Sequence, residues 1–188
     1  MESGKIILGS QSPRRFEILK DAGYDVEMIS PKVSERFPYE LDVYKVAEYI
    51  SKLKMHDIFS FLGEDEDFII TADTVVILDR KPLGKPRTPE QAFKILKTLN
   101  ARQHDVVTGV TIRKKGKQLS FSDITKVFFR ELSDEQIQHF IEQNEVLDKA
   151  GAYAIQDYIG VEKFEGCYQN VMGLPMPKLQ EVINNWKP

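Results

Sequence analysis

This 188-residue chain has one cysteine, one tryptophan and no apolar run of membrane-spanning length. A lone thiol, Cys167, can make neither an internal disulfide nor a Cys-based zinc site, so the fold has to be held by burial, and the composition suits a reducing compartment. No stretch approaches the roughly 20 apolar residues a membrane helix needs, and Met1 to Lys5 leads into strand-like sequence without a signal-peptide pattern. Together these absences predict a cytoplasmic protein with no membrane partner. An excess of basic residues is missing too. Lys and Arg number 26 against 29 Asp and Glu, and a net charge of −3 excludes overall charge as a means of holding nucleic acid. No repeat, low-complexity tract or Pro/Gly/Ser-rich linker divides the sequence, so residues 1–188 are expected to form a single domain.

What is present alternates between strand-like and helix-like segments. The apolar run Lys5-Ile6-Ile7-Leu8-Gly9 predicts a buried strand, and Ser12 followed by Pro13 predicts the start of a helix that ends at Gly23. A strand over Tyr24 to Ile29 and a long amphipathic helix over Leu41 to Phe61 follow, the latter closed by a loop at Glu64-Asp65-Glu66-Asp67. Phe68 to Leu78, rich in β-branched residues, predicts a buried strand interrupted at Asp73, with a turn at Asp79-Arg80-Lys81 into a short strand toward Leu83. Thr88-Pro89 opens a further helix that packs through Leu99. Val106 to Arg113 and Leu119 to Phe129 form a hairpin around Lys114-Lys115-Gly116-Lys117, and Ser133 starts a helix with a capping box. From there loop and strand run to Met176, and a helix near Pro177 to Trp186 ends the chain. The class is α/β with a mixed sheet.

Four groups of residues carry possible chemistry. Ser10-x-Ser12-Pro13-Arg14-Arg15 is a polar turn at a helix N-terminus, where free N–H groups, the helix dipole and two guanidinium groups suit a phosphate. The bland alternative is an exposed, capped helix with solvated arginines. Asp73 lies in an apolar strand, so its carboxylate is neutralised, hydrogen-bonded, turned toward a ligand or metal, or spent as a strand-end cap. Lys85, in the tight turn Leu83-Gly84-Lys85-Pro86, and Lys54, on the long helix, are unspecific alone; a lysine beside Ile50 and Leu53 more often snorkels to solvent. Asp148 to Gln156 combines small residues with polar ones, either to admit a ligand or as a structural turn into a strand. His56, His104 and His139 lack metal spacing and are expected at the surface or in helix packing.

Taken in order, Ser-x-Ser-Pro-Arg-Arg, Glu35, Lys54, Ala72-Asp73-Thr74, Leu83-Gly84-Lys85-Pro86, Val107-Thr108-Gly109, Asp148 to Gln156 and Asn170-Val-x-Gly-Leu-Pro175 resemble the Maf family of nucleoside triphosphate pyrophosphatases. The resemblance implies a mixed, twisted α/β sheet flanked by helices and related to the inosine triphosphate pyrophosphatases, with two lobes around a cleft and commonly a homodimer. It implies hydrolysis of a nucleoside triphosphate to the monophosphate and pyrophosphate with a divalent cation, Mg²⁺ or Mn²⁺. In that reading Ser10, Arg14 and Arg15 hold the triphosphate, and Lys54 and Lys85 stabilise the leaving group. Glu35 and Asp73 face the metal, and Asp73 is the proton acceptor. The branch resembled prefers dTTP and UTP, with Arg14, Thr74 and Gln156 at the specificity positions. The family is also associated with septum formation, so a non-catalytic nucleotide-binding regulator is the alternative. Asp157, Cys167 and Met55 depart from the family's usual glycine, serine and alanine; none removes an expected catalytic group.

Overall fold

The computed structural model describes residues 5–63 and 67–187, which leaves the start of the chain and the expected loop at Glu64-Asp65-Glu66 outside the described residues. One seven-stranded sheet organises the rest. Its order is β2 (Asp25–Ile29), β1 (Lys5–Gly9), β3 (Phe68–Leu78), β5 (Gln103–Lys114), β6 (Lys117–Phe129) and β7 (Val161–Glu165), with the short β4 (Lys81–Leu83) pairing β3 off this path. β1 runs parallel to β2 and β3, while the β3–β5, β5–β6 and β6–β7 pairs are antiparallel, so the sheet is mixed.

The period-two alternation of β3 decides which side of the sheet each residue serves. Even positions Phe68, Ile70 and Ala72 pack with Ile6, Leu8, Val110 and Ile112 against α1 (Pro13–Asp21) and α6 (Met176–Asn184). Odd positions Ile69, Val75 and Ile77 meet the opposite layer, the long α2 (Val46–Leu62), through Val46, Ala47, Ile50, Met55 and Ile58. A third cluster joins α3 (Pro89–Leu99) and α4 (Asp134–Gln143) to Val76, Leu78, Val106, Val127 and Phe129. Being covered on both faces, β3 reads as a continuous apolar run.

Most expected elements are found, and the differences have local causes. Asp73 does not interrupt its strand. It pairs with Gly109 midway along an unbroken β3, because only its side chain, not its backbone, needs polar company. The long helix opens with a separate 3-10 turn, Val43–Lys45, where the Asp42 carboxylate accepts the Tyr44 N–H and the Asp42 carbonyl accepts the Lys45 N–H. Ser12 occupies the N-cap position of α1, but its side chain makes no capping bond; the Ser10 hydroxyl accepts the Ser12 N–H instead. The stretch read as loop and strand before Met176 also holds a 3-10 turn at Ala150–Ala152 and a one-turn helix, α5 (Tyr168–Met172), too short to show a periodicity.

The hairpin and the capping box form as expected. Lys115 and Gly116 have φ of 50° and 76°, the pair of positive values that a two-residue type I′ turn requires. Ser133 and Gln136 exchange the two bonds of the box. Gly109 has a tighter purpose. A Cβ there would lie 2.2 Å from the backbone N of Glu48, so the absence of a side chain is what lets α2 lie down on the strand beside Asp73.

Candidate active site

A cleft of about 470 Å³ opens where the N-terminus of α1, the middle of β3 and the 148–156 segment meet. That volume is in the range of small-molecule sites. Every residue expected to act on a substrate or metal lines it: Ser10, Arg14, Arg15, Glu35, Lys54, Asp73, Thr74, Lys85 and Gln156. A smaller recess of about 220 Å³ continues past Glu35 and Lys85 toward Phe37, Ile50 and Pro82.

Lys54 is the centre of the arrangement. As an odd residue of β3, Asp73 points into the α2 layer, and Lys54 lies on the face of α2 that meets it. The lysine Nζ donates to Asp73 Oδ1 at 2.6 Å and lies 2.7 Å from Glu35 Oε1. The snorkelling, solvated lysine is therefore not found; Lys54 is buried, at 7% exposure, because two carboxylates replace the water it gives up. α2 is fixed at the turn before it, where Thr71 Oγ1 donates to the Ser51 carbonyl at 2.7 Å and the Ser51 and Thr111 hydroxyls lie 2.8 Å apart.

The two carboxylates respond in opposite directions. Burial pushes Asp73 above the usual aspartate range, against the pull of Lys54 and Arg15. Burial also opposes ionisation of Glu35, but the bond and charge of Lys54, with Lys85 and Arg15 behind it, hold this half-exposed group below its ordinary value. Such divergence between neighbouring acids is a mark of sites that separate proton-accepting from charge-holding roles.

At the α1 end, Ser10 Oγ accepts from the Ser12 N–H at 3.1 Å and from Arg15 Nη1 at 3.2 Å. Both acceptor positions of the hydroxyl are then used, and its proton is left to donate into the cleft. Arg14 faces Asp148 at 3.8 Å across the cleft mouth. Arg15 is buried, and each of its three nitrogens donates within the protein: Nη1 to Ser10, Nη2 to Thr74 Oγ1 at 3.0 Å and Nε to the Gly173 carbonyl at 2.7 Å. It ties the first motif of the chain to the last.

The 148–156 segment is a structural turn that lines the cleft, but it leads into further loop rather than a strand, since β7 begins only at Val161. Gly151 and Ala152, at φ of 73° and 62°, make a structural turn, and Ala150 and Tyr153 to Gln156 line the cleft. Lys149 is anchored by bonds to the Glu145 carbonyl and to Asp148.

Sequence reasoning missed the support beneath the site. Thr108 Oγ1 donates to the Asn170 carbonyl at 2.8 Å and lies 3.0 Å from Thr74 Oγ1, while Asn170 Nδ2 donates to Val106 O and Thr125 Oγ1. Thr108 and Asn170 belong to quoted motifs, yet nothing local shows that they bond to each other. His104 is a correction: it sits in β5 at 2% exposure, not at the surface or in helix packing, with Nε2 2.7 Å from Tyr153 Oη. His56 and His139 are exposed, as expected.

Among the described residues, no group of three or more His, Cys, Asp or Glu side chains gathers as a metal set. Glu35 and Asp73 nevertheless fit a hard divalent cation. They are oxygen donors already drawn round a single positive charge, and Mg²⁺ is commonly held by one or two carboxylates plus substrate phosphates.

Comparison with known proteins agrees with this architecture. The pattern of the family described as Maf-like protein matches residues 5–186. A protein of Carboxydothermus hydrogenoformans named dTTP/UTP pyrophosphatase is 44% identical over 186 residues, 97% of this chain and 98% of its own. One of the same name from Porphyromonas gingivalis is 42% identical, covering 97% of this chain and 94% of its own. Among solved structures, the Staphylococcus aureus Ham1 protein superposes with a TM-score of 0.57 over 97% of this chain and 100% of that one; at 14% identity the likeness is one of fold. With the cleft residues in place and the likeness running nearly end to end, the chain belongs to the Maf family.

Proposed function

We propose that this chain, acting as one unit over residues 1–188, hydrolyses dTTP and UTP to the monophosphate and pyrophosphate. The observation that carries the reading is Lys54, held between Glu35 and Asp73 in a cleft whose opposite wall is a helix N-terminus flanked by Arg14. The substrate preference comes from the relatives named dTTP/UTP pyrophosphatase.

In this reading the N-terminus of α1, the Ser10 hydroxyl proton and Arg14 grip the phosphate chain. Arg15 acts mainly by holding Ser10, Thr74 and Gly173 in place. Lys54 and Lys85 neutralise the charge that grows on the departing pyrophosphate. Asp73, kept a better base than an ordinary aspartate by burial, accepts the proton of the attacking water. Glu35 and Asp73 hold the divalent cation, Mg²⁺ or Mn²⁺, which when bound offsets phosphate charge and lowers the barrier to water attack. The Gln156 amide has both a donor and an acceptor for the alternating edge of uracil or thymine, and Thr74 and Arg14 bound the same cleft.

Incubation with dTTP, UTP, CTP, dATP and GTP plus Mg²⁺, followed by separation of the products, is the direct test. The expected result is pyrophosphate and monophosphate from dTTP and UTP, with turnover reduced by about 10²–10⁴ in Asp73→Asn. Orthophosphate release, or undiminished turnover in Asp73→Asn, would refute it. The acidic limb of kcat/KM is expected above the usual aspartate range, because Asp73 must be ionised to accept a proton and burial raises its value. Tight dTTP binding without turnover under any divalent ion would instead favour the nucleotide-responsive regulator. The homodimer implied by the family resemblance belongs to the same proposal and is read by sedimentation.

A further inference from the structure

The carboxylates assigned to the divalent cation already hold a cation. Lys54 Nζ lies 2.6 Å from Asp73 and 2.7 Å from Glu35, so a metal shared by these two groups has to take the place of the ammonium. Lys54 and Asp73 are exposed by only 7% and 8%, so a displaced ammonium would have to turn out into the cleft to find new partners. The backbone cannot carry the lysine away either, since α2 is pinned one turn earlier through Ser51 to Thr71 and Thr111. Only the side chain can change partners.

Local charge points the same way. Lys54, Lys85 and Arg15 all act on Glu35, and against them stand Glu35 and Asp73, an excess of one positive charge. Arg14 and Lys149 against Asp148 on the same cleft wall add a second, so the site is positive before any metal arrives. A lone divalent ion would enter a positive pocket and part the ammonium from both of its carboxylates, with no counter-charge to replace them. A triphosphate reverses both conditions, because its several negative charges outweigh the excess and its oxygens offer Lys54 new partners.

We infer that Lys54 is an internal counter-cation that keeps the Glu35–Asp73 pair closed to free divalent ions, so that metal and triphosphate bind cooperatively and Lys54 passes from the carboxylates to the phosphates. This rests on the reading that Glu35 and Asp73 face the metal. The coupling is reciprocal: whatever the nucleotide adds to metal affinity, the metal adds to nucleotide affinity.

Binding of Mn²⁺, followed by the paramagnetic resonance signal of the free ion, tests this without turnover. The full-length protein is titrated alone and with thymidine 5′-(α,β-methylene)triphosphate, which cannot be cleaved at the bond in question; the analogue without protein is the reference. Wild-type protein alone should leave the Mn²⁺ signal almost intact, and protein-bound Mn²⁺ should appear with the analogue. Lys54→Met should bind Mn²⁺ alone about tenfold more tightly than wild type, and its coupling to the analogue should shrink. Circular dichroism establishes that Lys54→Met is folded. If it is not, calorimetry on wild type decides, with analogue affinity expected to rise about tenfold when Mn²⁺ is present. Wild-type protein that binds Mn²⁺ equally well with and without the analogue, or a folded Lys54→Met that binds it no more tightly, overturns the inference and leaves the metal assignment standing. Absence of protein-bound Mn²⁺ in every arm overturns the metal assignment and the inference together.

Discussion

Thr74 joins the proposed recognition surface to the scaffold, and its hydrogen bonds have a direction. Thr108 gives its proton to the Asn170 carbonyl, so at the 3.0 Å contact between the two hydroxyls Thr74 must donate, and it accepts in turn from Arg15. A relay thus runs from Arg15 through two threonines to α5. Thr74→Val keeps the shape, removes the relay's middle member and leaves a buried guanidinium N–H unpaired. A loss of about 1–3 kcal/mol is expected, seen as a lower midpoint in urea or thermal unfolding. Cys167 makes the contrasting case. Its backbone N–H and carbonyl are both bound to the Thr125 hydroxyl at 3.0 Å, so the main chain fixes it whatever the side chain. Cys167→Ser should change stability by less than about 0.5 kcal/mol and leave pyrophosphate release as it was; abolished release would assign the thiol a role the geometry does not show.

Among the elements, the contact of α2 with β5 sets the depth at which Lys54 meets Asp73. Gly109→Ala would put a methyl carbon within 2.2–2.4 Å of the backbone of Ala47 and Glu48, atoms that no rotamer change can move aside. The helix has to lift, at a cost of about 1–3 kcal/mol or more for overpacking against backbone. The midpoint of thermal unfolding should fall by about 2–4 °C for each kcal/mol, and turnover should fall as Lys54 withdraws from Asp73. An unchanged midpoint with full turnover would show that α2 and β5 can part enough to admit a methyl group without moving Lys54. This contact also explains what the sequence could and could not convey. Asp73 was legible because a carboxylate in an apolar run has to find polar company. Lys54 was legible only through the family resemblance, because its partner lies 19 residues away on a different element and a helical lysine near apolar neighbours ordinarily snorkels. The same holds for Thr108 and Asn170, 62 residues apart, whose motifs could be quoted without a role. Elements with a local signal, such as the capped helices, the type I′ hairpin and the apolar β3, were legible nearly to their ends. The one-turn α5 carries no such signal and exists because its neighbours hold it.

For the whole molecule, the response to acid is set by groups buried away from the cleft as much as by those in it. His104, between Phe129 and Tyr153 with T-shaped contacts at 4.7 and 5.5 Å, is pushed down to about 3 by burial. The unfolded chain, with histidine near 6.5, therefore binds a proton that the folded chain refuses. Stability is full above pH 6.5 and declines as pH falls toward 3, by about 2 kcal/mol between pH 6.5 and 5 from this residue alone. Asp73 works in the opposite sense, because its raised carboxyl makes ionisation the unfavourable state, so stability is regained as pH falls through its value. Glu35, held low, loses its contribution only as pH drops below the ordinary glutamate range. The contribution of His104 is therefore read as a difference between wild type and a variant without the imidazole, in which the share of Asp73 cancels. His104→Phe keeps a flat ring against Phe129 but leaves the Tyr153 hydroxyl without its 2.7 Å partner, so at pH 7 the variant should be less stable by about 1–3 kcal/mol. Its decline toward pH 5 should be shallower than that of wild type by about 2 kcal/mol, measured as urea unfolding at a series of pH values. Parallel declines in the two proteins would mean that His104 accepts its proton in the folded state, and the buried His104–Tyr153 pair would lose its place as the source of acid sensitivity.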